Sequence, residues 1–286
     1  MANPAEPASG QLSPLSEYGR CLCGPNEECG VDMGLTDRVA VVFGGGTGIG
    51  RATAIEFARE GAAVVVAGRR AGPLAETVEE IEAAAGRALA VAADVSLPDD
   101  VSRVVATAAG DFGRLDAVAN CAAIVDRVEG LLTGSVEQFD QLMGVNLRGA
   151  WLVVRTAAQA MIDAGNPGAI VTVSSVNALR SGTVDYSTSK AGVEGLTRSA
   201  AKTLGPHGIR VNALRSGAVD TAMLRYAWDV ADDVPFPIGP EDADTIPLGR
   251  VGQPSEAAKA IVWLCSAAAS YVTGTCLDVD GGLMAC

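Results

Sequence analysis

Val39-Ala40-Val41-Val42-Phe43-Gly44-Gly45-Gly46-Thr47-Gly48-Ile49-Gly50-Arg51 contains the strand, turn and helix start around which the rest of this chain is arranged. Its apolar, β-branched beginning is typical of a strand buried on both faces of a parallel sheet. Gly44, Gly48 and Gly50 permit a tight turn that larger side chains would crowd. They also let the first amides of the following helix approach an anionic group. The stretch therefore predicts a pyrophosphate cradle.

The spacing of these glycines, Gly-x3-Gly-x-Gly, differs from the Gly-x-Gly-x-x-Gly of the general dinucleotide fingerprint. It nevertheless lies between a predicted strand and a predicted helix, which is the context that the fingerprint requires. An ordinary glycine-rich loop is the alternative interpretation.

Apolar strands and amphipathic helices alternate after residue 37, and this pattern predicts a single-domain α/β fold. Right-handed crossovers between the strands give a doubly wound, Rossmann-type parallel sheet of about seven strands with helices on both faces. The predicted strands are 38–43, 62–67, 88–92, 116–120, 169–173, 209–214 and 276–279, and the predicted helices are 49–60, 73–84, 98–109, 135–164 with breaks, 185–204 and one starting at Pro254.

Composition excludes several classes of function. The chain has 286 residues, 49% of them hydrophobic, and a net charge of −13. That charge disfavours nucleic acid and anionic membrane surfaces as partners, because both would repel it. No apolar run approaches the roughly 20 residues that span a bilayer.

Residues 1–34 contain four prolines and show no hydrophobic periodicity, so a flexible N-terminal arm is predicted before a catalytic domain at 35–286. The segment lacks a basic region followed by an apolar one, and we therefore expect cytoplasmic residence. It carries Cys21, Cys23 and Cys29, whereas the single histidine, His207, is distant in sequence. No metal site is predicted, and exposed thiols on an arm are the preferred interpretation.

Residues that follow the strands are candidates for ligand contacts, because ligands bind beyond the carboxyl ends of such sheets. Gly68-Arg69-Arg70 follow the second strand, where an acidic residue would bind an adenosine ribose and repel a 2′-phosphate. Arg69 instead offers a planar fork suited to phosphate. The sequence therefore favours NADP, with NAD possible. A solvated corner is the alternative role for the two arginines.

The ends of the third and fourth strands carry further small or hydrogen-bonding residues. Asp94 and Val95 follow the third strand, where a carboxylate and an apolar side chain suit the edge and face of an adenine. Asn120-Cys121-Ala122-Ala123 end the fourth strand and are small enough for a cofactor to lie against them.

Tyr186-Ser187-Thr188-Ser189-Lys190 is the second strong signal. On a helix, Tyr186 and Lys190 share one face. A nearby ammonium favours the phenolate, so Lys190 is expected to lower the pKa of Tyr186 and to suit it for proton exchange. Ser174 and Ser175 stand at the end of the fifth strand, where a hydroxyl can polarise a carbonyl. A solvated Tyr and Lys on an amphipathic helix are the alternative.

From about residue 36 onward the chain resembles the short-chain dehydrogenase/reductase family, which includes 3-oxoacyl-carrier-protein reductases and hydroxysteroid dehydrogenases. The motifs that carry the resemblance occur in family order: Gly44-x3-Gly48-x-Gly50, Asp94-Val95, Asn120-Cys121-Ala122-Ala123, Val145-Asn146-Leu147-Arg148-Gly149, Ser175, Tyr186-x3-Lys190, Arg210-Val211-Asn212-Ala213 and Asp280-Gly281-Gly282.

The resemblance implies a general acid/base role for Tyr186, a cofactor-ribose contact and pKa-lowering role for Lys190, and a substrate-oxygen contact for Ser175. It implies that Asn146 positions a water in a proton relay, and that Thr221 contacts the cofactor amide. The predicted cofactor-binding residues are Gly44, Thr47, Gly48, Ile49, Gly50, Arg69, Arg70, Asp94, Val95, Asn120, Ala122, Tyr186, Lys190, Gly217, Val219 and Thr221.

The implied reaction is hydride exchange between a nicotinamide and a secondary alcohol or ketone. A predicted lid at about 218–250 combines acidic and aromatic residues, and favours a neutral or apolar substrate. The resemblance also implies a homotetramer or dimer, formed through the helix after Ser135 and the Tyr186 helix.

Two alternatives to an NADP-dependent alcohol or ketone oxidoreductase remain open. NAD dependence or a 3-oxoacyl substrate is the first. A catalytically silent cofactor-sensing or interaction protein is the second, suggested by departures from the family pattern at Phe43, Cys121 and Ser216.

Overall fold

The computed structural model describes residues 33–125, 131–180, 182–229 and 245–285, with the side chains of 227–229 left out. Strands and helices alternate through these residues. Their bounds are β1 Val39–Phe43, α1 Gly48–Arg59, β2 Ala63–Gly68, α2 Ala71–Ala83, β3 Arg87–Ala92, α3 Pro98–Asp111, β4 Ala117–Asn120, α4 Val136–Met143, α5 Gly149–Asp163, β5 Gly168–Ser175, α6 Val184–Leu204, β6 Ile209–Ser216, α7 Ala222–Asp229, α8 Pro254–Cys265 and β7 Cys276–Val279.

The strands form one sheet in the order β3-β2-β1-β4-β5-β6-β7, and every pairing between them is parallel. From β1 the chain winds outward to β3, and it then returns to place β4 on the other side of β1. This arrangement confirms the predicted doubly wound α/β fold. The reversal between β1 and β4 is the point at which such sheets bind ligands.

Both faces of the sheet are covered by helices. Side chains of β1 alternate between them: Val41 and Phe43 pack against residues of α3 and α5, whereas Val42 packs against residues of α1 and α8. This double burial is why the central strands are almost continuously apolar. Phe43, a departure from the family pattern, is fully buried, and its carbonyl accepts a 2.9 Å hydrogen bond from the Cys121 amide, which joins the ends of β1 and β4.

Strands β5 and β6 each extend two residues beyond their predicted ends, to Ser175 and Ser216. The apolar runs in the sequence end two residues earlier, because Ser174 and Arg215 are polar. In the structure these two residues are register partners on adjacent strands and are buried. Their polar groups are satisfied by contacts with α6, which no periodicity in the sequence reveals.

The predicted break in the helix at 135–164 is a π-helical turn at Gly144–Arg148, which separates α4 from α5. A capping box begins α4: the Ser135 hydroxyl accepts a 3.2 Å bond from the Gln138 amide, and the Gln138 side chain accepts one from the Ser135 amide. The π turn contains Asn146 and therefore changes the direction in which this side chain points.

Several predictions fall outside the described residues. The predicted arm lies there except for residues 33 and 34, and so do Cys21, Cys23 and Cys29. In the predicted lid, α7 and residues 245–250 are described, whereas 230–244 are not. No helix in the described part of the chain has the length and apolar character needed to cross a bilayer.

Candidate active site

The turn between β1 and α1 requires glycine for steric reasons. Gly44 has a φ of 75°, and a Cβ there would approach the Ala122 nitrogen to 2.8 Å. A Cβ on Gly50 would lie 2.2 Å from the Gly44 carbonyl oxygen. The turn can therefore pack against the chain after β4 only without side chains at these positions. The N-cap residue Thr47 does not cap α1 with its side chain, so the first amides of this helix remain available for an anion.

A cavity of about 290 Å³ lies at the carboxyl ends of the strands, with this turn forming one wall. Almost all of the predicted site residues line it. These are Gly44, Thr47, Gly48, Ile49, Gly50, Arg69, Arg70, Asp94, Val95, Ala122, Ser175, Tyr186, Lys190, Gly217, Val219 and Thr221. Asn120 and Asn146 do not line it, and both are 2% exposed.

One end of the cavity carries two cationic side chains. Arg69 and Arg70 follow β2, are exposed, and have no hydrogen bond or ion pair with another described residue. Beside them, one carboxylate oxygen of Asp94 accepts bonds of 2.9 and 2.7 Å from the amide and hydroxyl of Ser96. These bonds fix the orientation of the Asp94 carboxylate, which lines the cavity.

The other end brings three reactive groups together. Tyr186 and Lys190 lie on one face of α6 as predicted, with the Lys190 nitrogen 5.4 Å from the centre of the Tyr186 ring. The Lys190 ammonium donates a 2.8 Å bond to the Val173 carbonyl on β5, and the side chain is almost fully buried. Ser175, at the end of β5, lines the same cavity as Tyr186 and acts to lower the pKa of its phenol. The carboxyl end of β5 thus positions both groups of α6.

The expected lowering of the pKa of Tyr186 by Lys190 is corrected by the structure. Removal of the phenol from water raises the pKa of Tyr186 to about 12, against which the hydrogen bond from Ser175 acts only in part. Burial also lowers the pKa of Lys190 to about 8. The sequence indicated that the two groups meet, but it could not indicate that desolvation has a larger effect on the phenol than the nearby ammonium.

The buried ammonium predicts a pH dependence of stability. Because the pKa of Lys190 is about 8 in the folded protein, against an ordinary value of 10.5, the unfolded chain binds more protons between these pH values. We therefore expect the free energy of unfolding to rise from pH 8 to 10.5 in the wild type relative to Lys190→Met, measured by urea titration. Lys202→Met, on the exposed side of α6, should reproduce the wild-type slope. Parallel wild-type and Lys190→Met curves would contradict the assignment.

Asn120 and Asn146, the two predicted site residues that do not line the cavity, hydrogen-bond segments that do. The Asn146 amide accepts a 2.8 Å bond from the Ile124 nitrogen and donates a 2.9 Å bond to the Ile124 carbonyl. It also lies 3.4 Å from the hydroxyl of Ser189, which in turn donates to the Tyr186 carbonyl. Asn120 accepts a 3.3 Å bond from the Ala122 amide. Asn146 thus connects the loop after β4 to the Tyr186 helix.

The loop after β6 completes the cavity next to the glycine turn. A Cβ on Gly217 would lie 2.6 Å from the Cα of Asp280, so the loop packs closely against the segment after β7. The Thr221 methyl group lies 3.1 Å from where a Cβ on Gly48 would stand. Val219 pairs with Gly252 in an isolated bridge. These contacts hold the loop in place directly after Ser216, one of the departures from the family pattern.

Sequence reasoning missed part of the lining. Most of the missed residues lie at or next to the ends of predicted strands and helices, and this proximity is the signal that could have found them. They are Gly46, Pro73, Leu74, Ala93, Ile124, Val125, Val173, Val176, Asn177 and Thr183. The lining also includes Ala218, Ala222, Met223 and Leu224, which belong to the predicted lid.

Comparison with known proteins identifies the family. A family model described as "Enoyl-(Acyl carrier protein) reductase" matches residues 44–284. The chain belongs to the short-chain dehydrogenase/reductase family. The relatives described below are named dehydrogenases or reductases. The chain is accordingly an NAD(P)-dependent enzyme of this family.

Two curated relatives and one solved structure illustrate the similarity. The L-rhamnose 1-dehydrogenase (NAD(P)(+)) of Azotobacter vinelandii is 40% identical over 258 residues, covering 88% of this chain and 98% of the relative. The 2,5-dichloro-2,5-cyclohexadiene-1,4-diol dehydrogenase of Sphingobium indicum is 41% identical over 255 residues, with the same two coverages. The structure of levodione reductase superimposes with a TM-score of 0.83 at 33% identity, covering 87% of this chain and 98% of that one.

Proposed function

We propose that this short-chain dehydrogenase/reductase transfers a hydride between NADP(H) and a neutral, largely apolar secondary alcohol or ketone, with Tyr186 as the general acid/base. The observation that carries the proposal is the presence of Tyr186, Ser175 and Lys190 in the same cavity that the glycine turn lines.

The lining residues fit a phosphorylated dinucleotide. The first turn of α1 offers uncapped amides to a pyrophosphate, and Arg69 and Arg70 offer guanidinium groups to a 2′-phosphate. The free side of the Asp94 carboxylate and the Val95 side chain suit an adenine. Gly217, Val219 and Thr221 are then available to the nicotinamide half. When bound, the nicotinamide supplies the carbon that gives or accepts the hydride.

The proton accompanying the hydride is assigned to Tyr186. In reduction, the phenol gives its proton to the carbonyl oxygen as the carbonyl carbon receives the hydride, and a secondary alcohol results. In oxidation, the phenolate takes the hydroxyl proton while the carbon loses the hydride. Ser175 is assigned the hydrogen bond to the substrate oxygen. A pKa of Tyr186 near 12 suits the acid role directly, whereas oxidation requires added stabilisation of the phenolate.

The proposed substrate class rests on the wall near Tyr186. It consists mainly of apolar side chains, including Val145, Val176 and Leu224, with the polar Asn177 beside them. Lys190 is the charged residue that the described lining contributes to this end, and its ammonium already donates to Val173. A charged substrate would lose its hydration here without gaining a partner, whereas a neutral one would not.

Cofactor preference is tested at Arg69. We expect Arg69→Ala to weaken NADPH binding by about 10-fold, because a charge-assisted hydrogen bond contributes about 1.5–3 kcal/mol, and to leave NADH binding unchanged. Fluorescence titration with both cofactors measures this. Arg59→Ala, at the far end of α1, is the matched control and should retain the wild-type preference. An Arg69→Ala protein that still prefers NADPH would refute the phosphate contact and favour the NAD-dependent alternative.

The proposal includes self-association and cytoplasmic residence. Helices α4 and α5 expose Val136, Phe139 and Trp151, which are 70, 37 and 46% exposed. Apolar side chains exposed on two successive helices are typical of a face that a second copy covers. Sedimentation velocity should give the mass of a dimer or tetramer, and a monomer at micromolar concentration would contradict this part of the proposal.

A further inference from the structure

A row of polar residues crosses the sheet directly beneath the proposed active site. Ser174, Arg215 and Asp278 are register partners on β5, β6 and β7. Glu194 of α6 packs onto this row from one side of the sheet. Four polar side chains in successive contact at the edge of an otherwise apolar core call for an explanation, since burying them has a cost.

Arg215 binds both carboxylate oxygens of Glu194 through two nitrogens of its guanidinium group. Its Nε lies 2.8 Å from one carboxylate oxygen and its Nη2 lies 2.9 Å from the other. The two side chains are only 10% and 4% exposed. Asp278, which is 43% exposed, accepts a third bond at 2.5 Å. Such a buried pair contributes little net stability compared with apolar residues of similar volume, so its presence indicates a geometric role.

The pair connects directly to the proposed catalytic groups. Tyr186, Lys190 and Glu194 follow one another at intervals of one helical turn on the same face of α6. Ser174 lies 3.1 Å from a Glu194 carboxylate oxygen and 3.3 Å from the Lys190 carbonyl oxygen, and its neighbour in the chain is Ser175. Arg215 is followed by residues that line the cavity on the nicotinamide side.

We propose that Glu194, held by Arg215 and Ser174, is a positioning residue that fixes where the Tyr186 helix, α6, lies along β5. The ion pair prevents α6 from sliding along the sheet, and this keeps the Tyr186 phenol in reach of Ser175 and the Lys190 ammonium in reach of the Val173 carbonyl. The inference rests on the proposed function, because it concerns the alignment of the same proton-transfer groups.

The test uses the double variant Glu194→Met/Arg215→Met. Arg215→Met alone would leave the buried Glu194 charge unpaired, and Glu194→Met alone would leave Arg215 with only the partly exposed Asp278 as its partner. Either single change could prevent folding, whereas two apolar side chains of similar length preserve the packing. We expect the thermal midpoint and the NADPH dissociation constant, measured by fluorescence, to stay close to the wild-type values. We expect kcat to fall by about 10-fold or more, as displaced catalytic groups lose alignment.

Two further variants make the outcome specific. Asp278→Asn removes the negative charge of the more exposed partner of Arg215 but leaves the Arg215–Glu194 ion pair intact. Its kcat should remain within about 2-fold of the wild type, since exposed pairs contribute little. Ser174→Ala removes the connection between Glu194 and Lys190 without leaving a charge unpaired, and should lower kcat several-fold. If the double variant does not fold, an unchanged kcat in Ser174→Ala overturns the proposal.

A mutant cycle that combines the double variant with Tyr186→Phe, and compares their losses in kcat, separates a positioning role from a general structural effect. If the pair acts through Tyr186, adding the double variant to Tyr186→Phe should produce no further loss in kcat. A full additional 10-fold loss, or a folded double variant with wild-type kcat, would overturn the proposal. If Tyr186→Phe itself keeps wild-type turnover, the proposed function fails; if it is inactive while the double variant is fully active, only the positioning role fails.

Discussion

Tyr186→Phe is expected to lower kcat by about 10³-fold, within the range that a positioned general acid or base contributes. The substitution removes only the hydroxyl, so the ring still fills its place in the cavity beside Lys190. NADPH binding should therefore be preserved. Nicotinamide absorbance with a panel of neutral ketones and secondary alcohols gives kcat, and fluorescence titration gives the cofactor dissociation constant.

Tyr271→Phe is the matched control for this experiment. Tyr271 is fully exposed in the segment before β7, and its change should leave both measurements at wild-type values. Unchanged turnover in Tyr186→Phe would remove Tyr186 from the mechanism. Wild-type and variant proteins that both bind NADPH but turn over no substrate on the panel would favour the cofactor-sensing alternative.

Gly50→Ala should have the largest effect on the cofactor cradle. A Cβ at this position would lie 2.2 Å from the Gly44 carbonyl oxygen, and backbone atoms at this distance cannot be accommodated without moving the turn. We expect overpacking to destabilise the fold by about 3 kcal/mol. We also expect NADPH binding to weaken by about 100-fold, equivalent to about 2.7 kcal/mol. Chemical denaturation and fluorescence titration measure the two effects.

Gly110→Ala provides the comparison. Gly110 lies within α3, and an added Cβ would meet nothing within 4 Å. Because alanine is the better helix former, this variant should gain about 0.5–1 kcal/mol of stability. Equal losses of stability in the two variants would mean that the glycine turn has no special steric requirement.

The sheet and the cradle could be predicted because their physical signals are local. The apolar run of β1 followed by Gly44, and the four-residue spacing of Tyr186 and Lys190, each depend on a few neighbouring residues. These signals correctly placed the elements in order and brought Tyr186, Lys190 and Ser175 to one cavity.

The features that could not be predicted depend on contacts between distant segments. Strand β6 continues through Arg215 because Glu194, which lies on another element, neutralises its charge. The π turn around Asn146 accompanies contacts with Ile124 in the loop after β4. The raised pKa of Tyr186 follows from desolvation of the phenol by the segments folded around it. None of these leaves a periodic pattern in the sequence.

A crystal structure of the complex with NADP⁺ would show where the dinucleotide binds. We expect the pyrophosphate against the first turn of α1, the 2′-phosphate beside Arg69, and the nicotinamide facing the Tyr186 hydroxyl. A dinucleotide bound outside this cavity, or a nicotinamide separated from Tyr186 by intervening protein, would contradict this expectation.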